Sequence, residues 1–458
     1  MIPVAVALAR FIEAHGFGGN YPYWYLGTTP VRFLTGPVVP LLLIGLRKIF
    51  SFFSYFDVVY VLLVMSFLAS SVGWGILAAK LSKNKNIGVI VGILVLILPW
   101  RWLSALTMAE PSIVFAKNLL PWGILSMSYY FTHKKIFTLI LAILSVSFIL
   151  LIHTAVLFPL VVGIAGLFIA TREGKEDEEG EENLVDFGKQ AFFILGSALV
   201  LITLWYTPGF WWRVSMNPSI GGAAGLFALG NAVNFLKILL PVAGAILAVS
   251  LLKKGVSPFA RFSLVWLGTF GALTVFRFLA NPAFWMDWMS WLFEVEIGMI
   301  LVALTKIPRP LFFSQLVLSV LISLFLYGKL GRPTLFSSTF PEGVASLVVL
   351  HERAGDKRVF LSGSTVFWAD SLFDLKQVRG GRDEVAVNRV WRNAAYEIRE
   401  GIDPSRTVLL LKELGVSYVL VHGEQSTEYY HDFKNLRKWE MIGKKIWEER
   451  GDAVYTIK

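Results

Sequence analysis

The sequence predicts a mainly α, polytopic helical membrane protein with about ten spans, an N-terminal interfacial helix and a small C-terminal α/β soluble domain. Three observations predict it. Of the 458 residues, 55% are hydrophobic and only 16% charged, the balance of a chain that spans a membrane many times. Ten apolar segments of 17 to 25 residues lie between Phe56 and Gly328, each matched to a hydrocarbon core ~30 Å thick. From about Leu335 apolar runs give way to mixed helix-Gly-strand patterns, which are those of an α/β unit. The expected domains are therefore 1–55, an outward N-terminal region, 56–334, the helical bundle, and 335–458, the extracytoplasmic domain.

Met1 to Gly19 is short and mildly amphipathic, with Val4, Leu8, Phe11 and Ile12 on one face and Arg10 and Glu13 off it. Asn20–Phe50 carries four prolines and three glycines, which rule out one uninterrupted helix. Its aromatic cluster, Tyr23, Trp24 and Tyr25 with Tyr21, suits a membrane interface, where rings bury and polar tips stay wet. Only Pro37 to Leu46 is continuously apolar, so the stretch is expected to end in a helix lying in the interface.

The spans follow: Phe56–Lys80, Ile87–Leu103, Pro111–Phe131, Ile136–Ile152, Thr154–Thr171, Gly188–Tyr206, Val233–Leu252, Pro258–Ala280, Trp288–Thr305 and Leu311–Gly328. Ile136 to Thr171 has His153 as its sole ionisable group. As one helix it would run ~54 Å, too long for the core, so it is split at His153-Thr154. With that split the connections carry twelve Lys/Arg on one side and five on the other, a positive-inside bias that puts both terminal regions outward. The acidic run in Arg172–Lys189 reads as a solvated cytoplasmic loop.

The net charge of +10 belongs to residues 1–334, with 24 Lys+Arg against 14 Asp+Glu, while residues 335–458 balance at 18 against 18. A nucleic-acid footprint needs a basic patch on a soluble domain, so nucleic acid is not an expected partner; membrane lipid is. There is no cysteine, which excludes disulfides, thiolate catalysis and Cys-based zinc sites. No secretory signal peptide opens the chain. In the C-terminal region, helices are expected at Pro341–Ala354, Arg389–Glu400 and Pro404–Leu414, and strands at Arg358–Ser362, Val416–Val421 and Ala453–Ile457. The Gly pair in VRGGRDE lacks the spacing of a nucleotide-binding loop.

Ionisable side chains in or beside spans are costly and mark candidate function. The outer halves collect Asp57, Arg101, Glu110, His153, Lys237, Arg277, Asp287, Glu294 and Glu296. Asp287 and Glu294 share a helix face, and Glu296 points nearly the opposite way. Together with Arg32 these form a candidate outer cavity, in which carboxylates act as bases or metal ligands and arginines meet a lipid phosphate. The alternative is internal neutralisation, with Arg277 pairing to Glu294 or Asp287 and holding helices in register.

Three patches resemble a known family: YPYWYLGTTPVRFLTGPVVPLLL, the pair AAKLSK and IGVIVGILVLILPW, and RVFLSGSTVFWADSLFDLKQVRGGRDE with LLLKELGVSYVLV and AVYTIK. They are similar to the polytopic GT-C superfamily glycosyltransferases, and more closely to the membrane proteins labelled 6-pyruvoyl-tetrahydropterin synthase-related. The resemblance implies transfer of a sugar from a polyprenyl-phosphate carrier on the outer face of the cell membrane. It also implies an acidic motif, just after a first helix, that activates the acceptor or organises a divalent metal ion. Here that motif would fall upstream of Met1, and the context of Glu13, RFIEAHGF, does not match it. No catalytic residue is therefore carried over, and a truncated product or a non-catalytic relative are both open. An enzyme is expected to show an outer cavity lined by Arg32, Arg101, Arg277 and Glu294. A transporter or flippase is expected to show a midplane site, and a scaffold only paired charges.

Overall fold

The computed structural model describes residues 2–98, 100–102, 105, 110–171, 179–216, 227–252, 255–279, 288–306, 344–386, 388, 390–428 and 430–457. The chain is mainly helical and divides into two compact units. One comprises Met1–Val58, Gly209–Ile220 and Leu335–Lys458; the other comprises Val59–Pro208 and Gly221–Thr334. The first and last parts of the chain, set apart by composition, thus fold together.

The helical unit follows the expected order. Four described helices are long and apolar enough to cross a membrane: Tyr55–Ser82, Thr154–Thr171, Val185–Ile202 and Pro258–Leu279. Lys85–Ile97 and Ile136–Ile152 are apolar but shorter. The expected span Leu311–Gly328 lies outside the described residues. Tyr55–Ser82 opens with a reciprocal cap: Ser54 N and Oγ donate to Asp57 Oδ2 (2.9 and 2.7 Å), and Asp57 N donates to Ser54 Oγ. Asp57 is thus a helix-starting residue. The split at His153 is present, with Ile136–Ile152 ending where His153 is extended and a short turn beginning at Thr154. His153 Nδ1 accepts from Ala155 N at 3.2 Å, which caps that turn.

The expected continuous span Ile87–Leu103 is broken instead. Lys85–Ile97 stops at Leu98, whose ψ of 126° is extended, because the ring of a following proline disfavours helical backbone at the residue before it. Small residues let this helix approach Tyr55–Ser82 closely: a Cβ on Gly75 would lie 2.8 Å from Gly88 O. Ser71 Oγ donates to Gly92 O across the same seam at 2.7 Å, as in helix pairs that associate within lipid. Deeper in, the rings of Trp74 and Trp266 meet edge to face at 5.0 Å, with Phe262 and Phe270 beside them.

The other unit holds a short antiparallel pair, β1 (Asn20–Tyr21) and β2 (Thr29–Pro30), and a four-stranded sheet of order β3-β4-β6-β5, where β3 is Arg358–Phe360, β4 Val416–His422, β5 Gly443–Glu449 and β6 Asp452–Ile457. β3 and β4 are parallel and the remaining pairings antiparallel. The expected helices are found at Val344–Ala354, Val390–Glu400 and Pro404–Glu413; residues 341–343 lie outside the described residues. Gly415, at φ +66°, supplies the left-handed residue that turns Pro404–Glu413 into β4. Leu347, Leu350, Val359, Val366, Leu420 and Val454 form the core. The N-terminal helix Ile2–His15 packs on Thr365–Leu372 and on Val38–Ile49. It is buried nearly all round from Ile2 to Ala9, and not on one face as its pattern suggests.

One titration tests this unit. Lys438 is buried, and its ammonium donates to Ile398 O and Gly401 O at 2.6 and 2.7 Å. Burial lowers its pKa to about 8, whereas an unfolded lysine titrates near ~10.4. Between those values the unfolded chain binds more protons, so folding stability rises with pH across the window, and the penalty is full below it. The melting temperature of the wild type, measured against Lys438→Met, is expected to climb between about pH 8 and pH 10. A flat difference would contradict this placement.

Candidate functional site

Two sets of side chains carry chemistry, one in each unit. In the helical unit the break before Pro99 folds Arg101 back inside, fully buried. Its guanidinium donates to Val95 O (3.0 Å), to Ser70 Oγ (2.8 Å) and to Asn118 Oδ1. Asn118 Nδ2 in turn donates to Ser66 Oγ at 2.9 Å. The rings of Phe67 and Phe293 flank the same guanidinium at 5.1 and 5.5 Å, a placement that favours a cation. Glu296 is buried close to Arg101.

Two residues before Glu296, Glu294 Oε2 lies 2.8 Å from Lys117 Nζ of the helix Pro111–His133, with both side chains at most 5% exposed. Trp266 Nε1 donates to Glu294 O at 2.9 Å and anchors the same turn. Residues 294 and 296 lie about 200° apart around a helix, which is why each meets a different cation. A fourth contact joins Glu110 to His153 at 3.7 Å.

The sequence-selected residues are thus only partly gathered. Arg101, Glu294 and Glu296 come together, and Glu110 meets His153. Arg101 does not flank an outer loop as expected, because it turns inward. Glu294 pairs with Lys117, and not with Arg277, which is half-buried on Pro258–Leu279. Lys237 is exposed. Arg32 belongs to the other unit, exposed, with its guanidinium over the Phe33 ring at 5.3 Å. Asp287 lies outside the described residues. Sequence reasoning missed Lys117 and Asn118, although a lysine inside an apolar span is itself the signal.

In the other unit most of the aromatic cluster is buried within the protein. Tyr21, Trp24 and Tyr25 have no exposure, and Tyr23 is half-buried. Tyr25, Leu26 and Gly27 all have positive φ (50°, 66° and 76°), a left-handed corner that costs about 1–2 kcal/mol per non-glycine residue. The corner aims Tyr25 at the C-terminal segment, where its hydroxyl donates to Asp383 Oδ1 at 2.9 Å and accepts from Arg382 N. Burial raises the Asp383 carboxyl, so its partners hold it in a demanding place. The Gly pair of VRGGRDE provides the space: a Cβ on Gly380 would lie 2.7 Å from Trp24 Cβ and from the Tyr25 ring. Gln377 N donates to Tyr23 O at 2.7 Å, and Arg382 to Leu34 O at 3.1 Å. The motif therefore docks backbone and rings.

Among the described residues, no group of three or more His, Asp or Glu side chains is placed to hold a metal ion. The divalent metal implied by the resemblance has no fitting ligand set there.

No family model matches the chain, and no curated protein matches it. Solved structures do. The archaeal oligosaccharyltransferase AglB from Archaeoglobus fulgidus, in complex with an inhibitory peptide and a dolichol-phosphate, is similar at a TM-score of 0.51 and 14% identity, over 100% of this chain and 70% of that one. The Archaeoglobus fulgidus oligosaccharyltransferase tethered to an acceptor peptide gives 0.51 and 15%, with the same coverage. The arabinofuranosyltransferase AftD from Mycobacteria gives 0.51 and 14%, over 99% of this chain and 39% of its own. The chain therefore has a GT-C-like fold.

Proposed function

We propose that, with this GT-C-like fold as its frame, the chain is a membrane glycosyltransferase-like protein handling a polyprenyl-phosphate-linked saccharide on the outer face of the cell membrane. The observation that carries the reading is the fold likeness along the whole chain to sugar-transferring enzymes, one of them held with a dolichol-phosphate. The finer kinship with the 6-pyruvoyl-tetrahydropterin synthase-related membrane proteins belongs to the same proposal.

Ten spans, with 1–55 and 335–458 outward, complete it, and two features support that. Residues 1–58, 209–220 and 335–458 belong to one compact unit. One unit occupies one side of a bilayer, so the crossings between its parts must be even in number. Among the described residues, six helices of 13 residues or more lie between Tyr55 and Ile202 and three between Phe227 and Lys306, which leaves a place for the expected Leu311–Gly328. The second feature is Val38–Ile49, whose Leu41 and Ile49, with Phe50 and Phe52 just beyond, are exposed at 43% to 77%. An apolar edge of this kind suits a helix resting in the interface.

A second reading, a non-catalytic relative, has the buried network in its favour. Arg101, Lys117, Glu294 and Glu296 sit in the packed interior with partners of their own, which is how charges hold helices in register. On either reading we assign them no catalytic role. The experiment incubates the reconstituted protein with a radiolabelled polyprenyl-phosphate sugar and follows release of free polyprenyl phosphate. Release above a protein-free control supports the enzyme. Binding of the lipid without release supports the relative. If the lipid neither binds nor turns over, both readings fall.

A further inference from the structure

A cleft of about 310 Å³ opens in the unit that holds both termini, between Ile2–His15, Val38–Ile49 and the segment after Thr365–Leu372. Its rim carries Arg47 against Glu13 at 3.4 Å and Arg10 against Asp374 at 3.5 Å. Tyr55 OH also donates to Glu13 Oε2, and the Arg47 guanidinium lies 4.8 Å over the Tyr55 ring. The Tyr23 ring, half-buried, stands perpendicular to the buried Phe11 ring, with centroids 6.0 Å apart.

The chemistry of the cleft excludes most ligand classes. Each arginine has its own carboxylate, so no uncompensated cation is offered to a phosphate or sulfate. The polar rim disfavours an acyl chain, which would strip water from four charges and return no hydrogen bonds. Among the described residues the second Glu13 oxygen, the Tyr23 hydroxyl and the His15 ring make no hydrogen bond, so donors and acceptors remain to be used. A sugar ring meets these terms, because its C–H face lies on an aromatic wall while its hydroxyls reach forked polar groups. The volume is at the low end of the roughly 300–1,000 Å³ of small-ligand sites, room for a short saccharide and not a long chain.

We infer that this cleft binds an uncharged mono- or disaccharide, stacked on the Tyr23 ring and clamped at its hydroxyls by Glu13 and Arg47. The inference goes beyond the sugar-transfer reading and does not need it, since a chain that transfers nothing can still hold a saccharide here.

The test uses the full chain in phospholipid nanodiscs, free of glycoside detergents. Saturation-transfer NMR is recorded with maltose, cellobiose and mannobiose as probes. At least one of them is expected to receive saturation. Glu13→Gln combined with Arg47→Met should weaken that signal about tenfold, as loss of two polar contacts does. His15→Ala, an exposed change, should also weaken it while leaving the melting temperature unchanged. Excess inorganic phosphate should not compete. The inference is overturned if no probe receives saturation, if both variants keep the wild-type signal, or if phosphate displaces the sugar. Failure of the transfer reading registers elsewhere, in the polyprenyl-phosphate release assay.

Discussion

Lys117→Met is expected to destabilise the helical unit by about 3–5 kcal/mol, the cost of stranding a buried carboxylate. The partner left behind, Glu294, is 2% exposed and has its carboxylate oxygen 2.8 Å from the lysine nitrogen. Removing both charges should restore most of the loss: Lys117→Met with Glu294→Leu is expected within about 1–2 kcal/mol of the wild type. The Trp266 Nε1 bond goes to the Glu294 backbone oxygen and survives both changes, so the cycle isolates the ion pair. Unfolding by detergent titration, read by tryptophan fluorescence, measures all four proteins. Costs that simply add would mean that the two charges do not depend on each other, and the helix-registry account would fail.

Trp24→Ala should cost the other unit about 3–5 kcal/mol, the range for emptying a buried aromatic site. Trp24 has no exposure, and its ring lies 2.9 Å from where a Cβ on Gly381 would be. A tryptophan at a lipid boundary behaves differently: its loss costs little in detergent and more in a bilayer. Melting the variant in detergent and in nanodiscs separates the two. A large loss in both places Trp24 in the protein interior, and a loss confined to the bilayer restores the boundary reading.

The legible parts of this sequence are those where length and periodicity act alone. Helix starts at Pro111, Ile136 and Pro258, the stop at His153 and the glycine endings at Gly401 and Gly415 all follow from local chemistry. β5 was not legible, because GKKIWEE is an edge strand whose charges mask alternation. Its hairpin turns on Arg450-Gly451, both with positive φ, a two-residue loop with a glycine at its second place. The candidate site was half legible. Glu294 and Glu296 stand out in any apolar span, but their partners depend on which helices meet. Arg101 reads as a loop-end residue until Leu98 is seen to end its helix. The burial of the aromatic cluster was not legible, because buried packing and membrane-interface anchoring select the same residue types.

The joining of the two chain ends has a consequence for biogenesis. Arg10 donates to the backbone oxygen of Asp370 and to the side chain of Asp374, some 360 positions later. At a ribosome speed of roughly 5–20 residues per second, the leading helix waits on the order of 20–70 s for its mate. During that interval its apolar surface is uncovered. A chaperone or the bilayer itself must shield it, and slowing elongation late in the message should lower the yield of mature protein more than slowing it early.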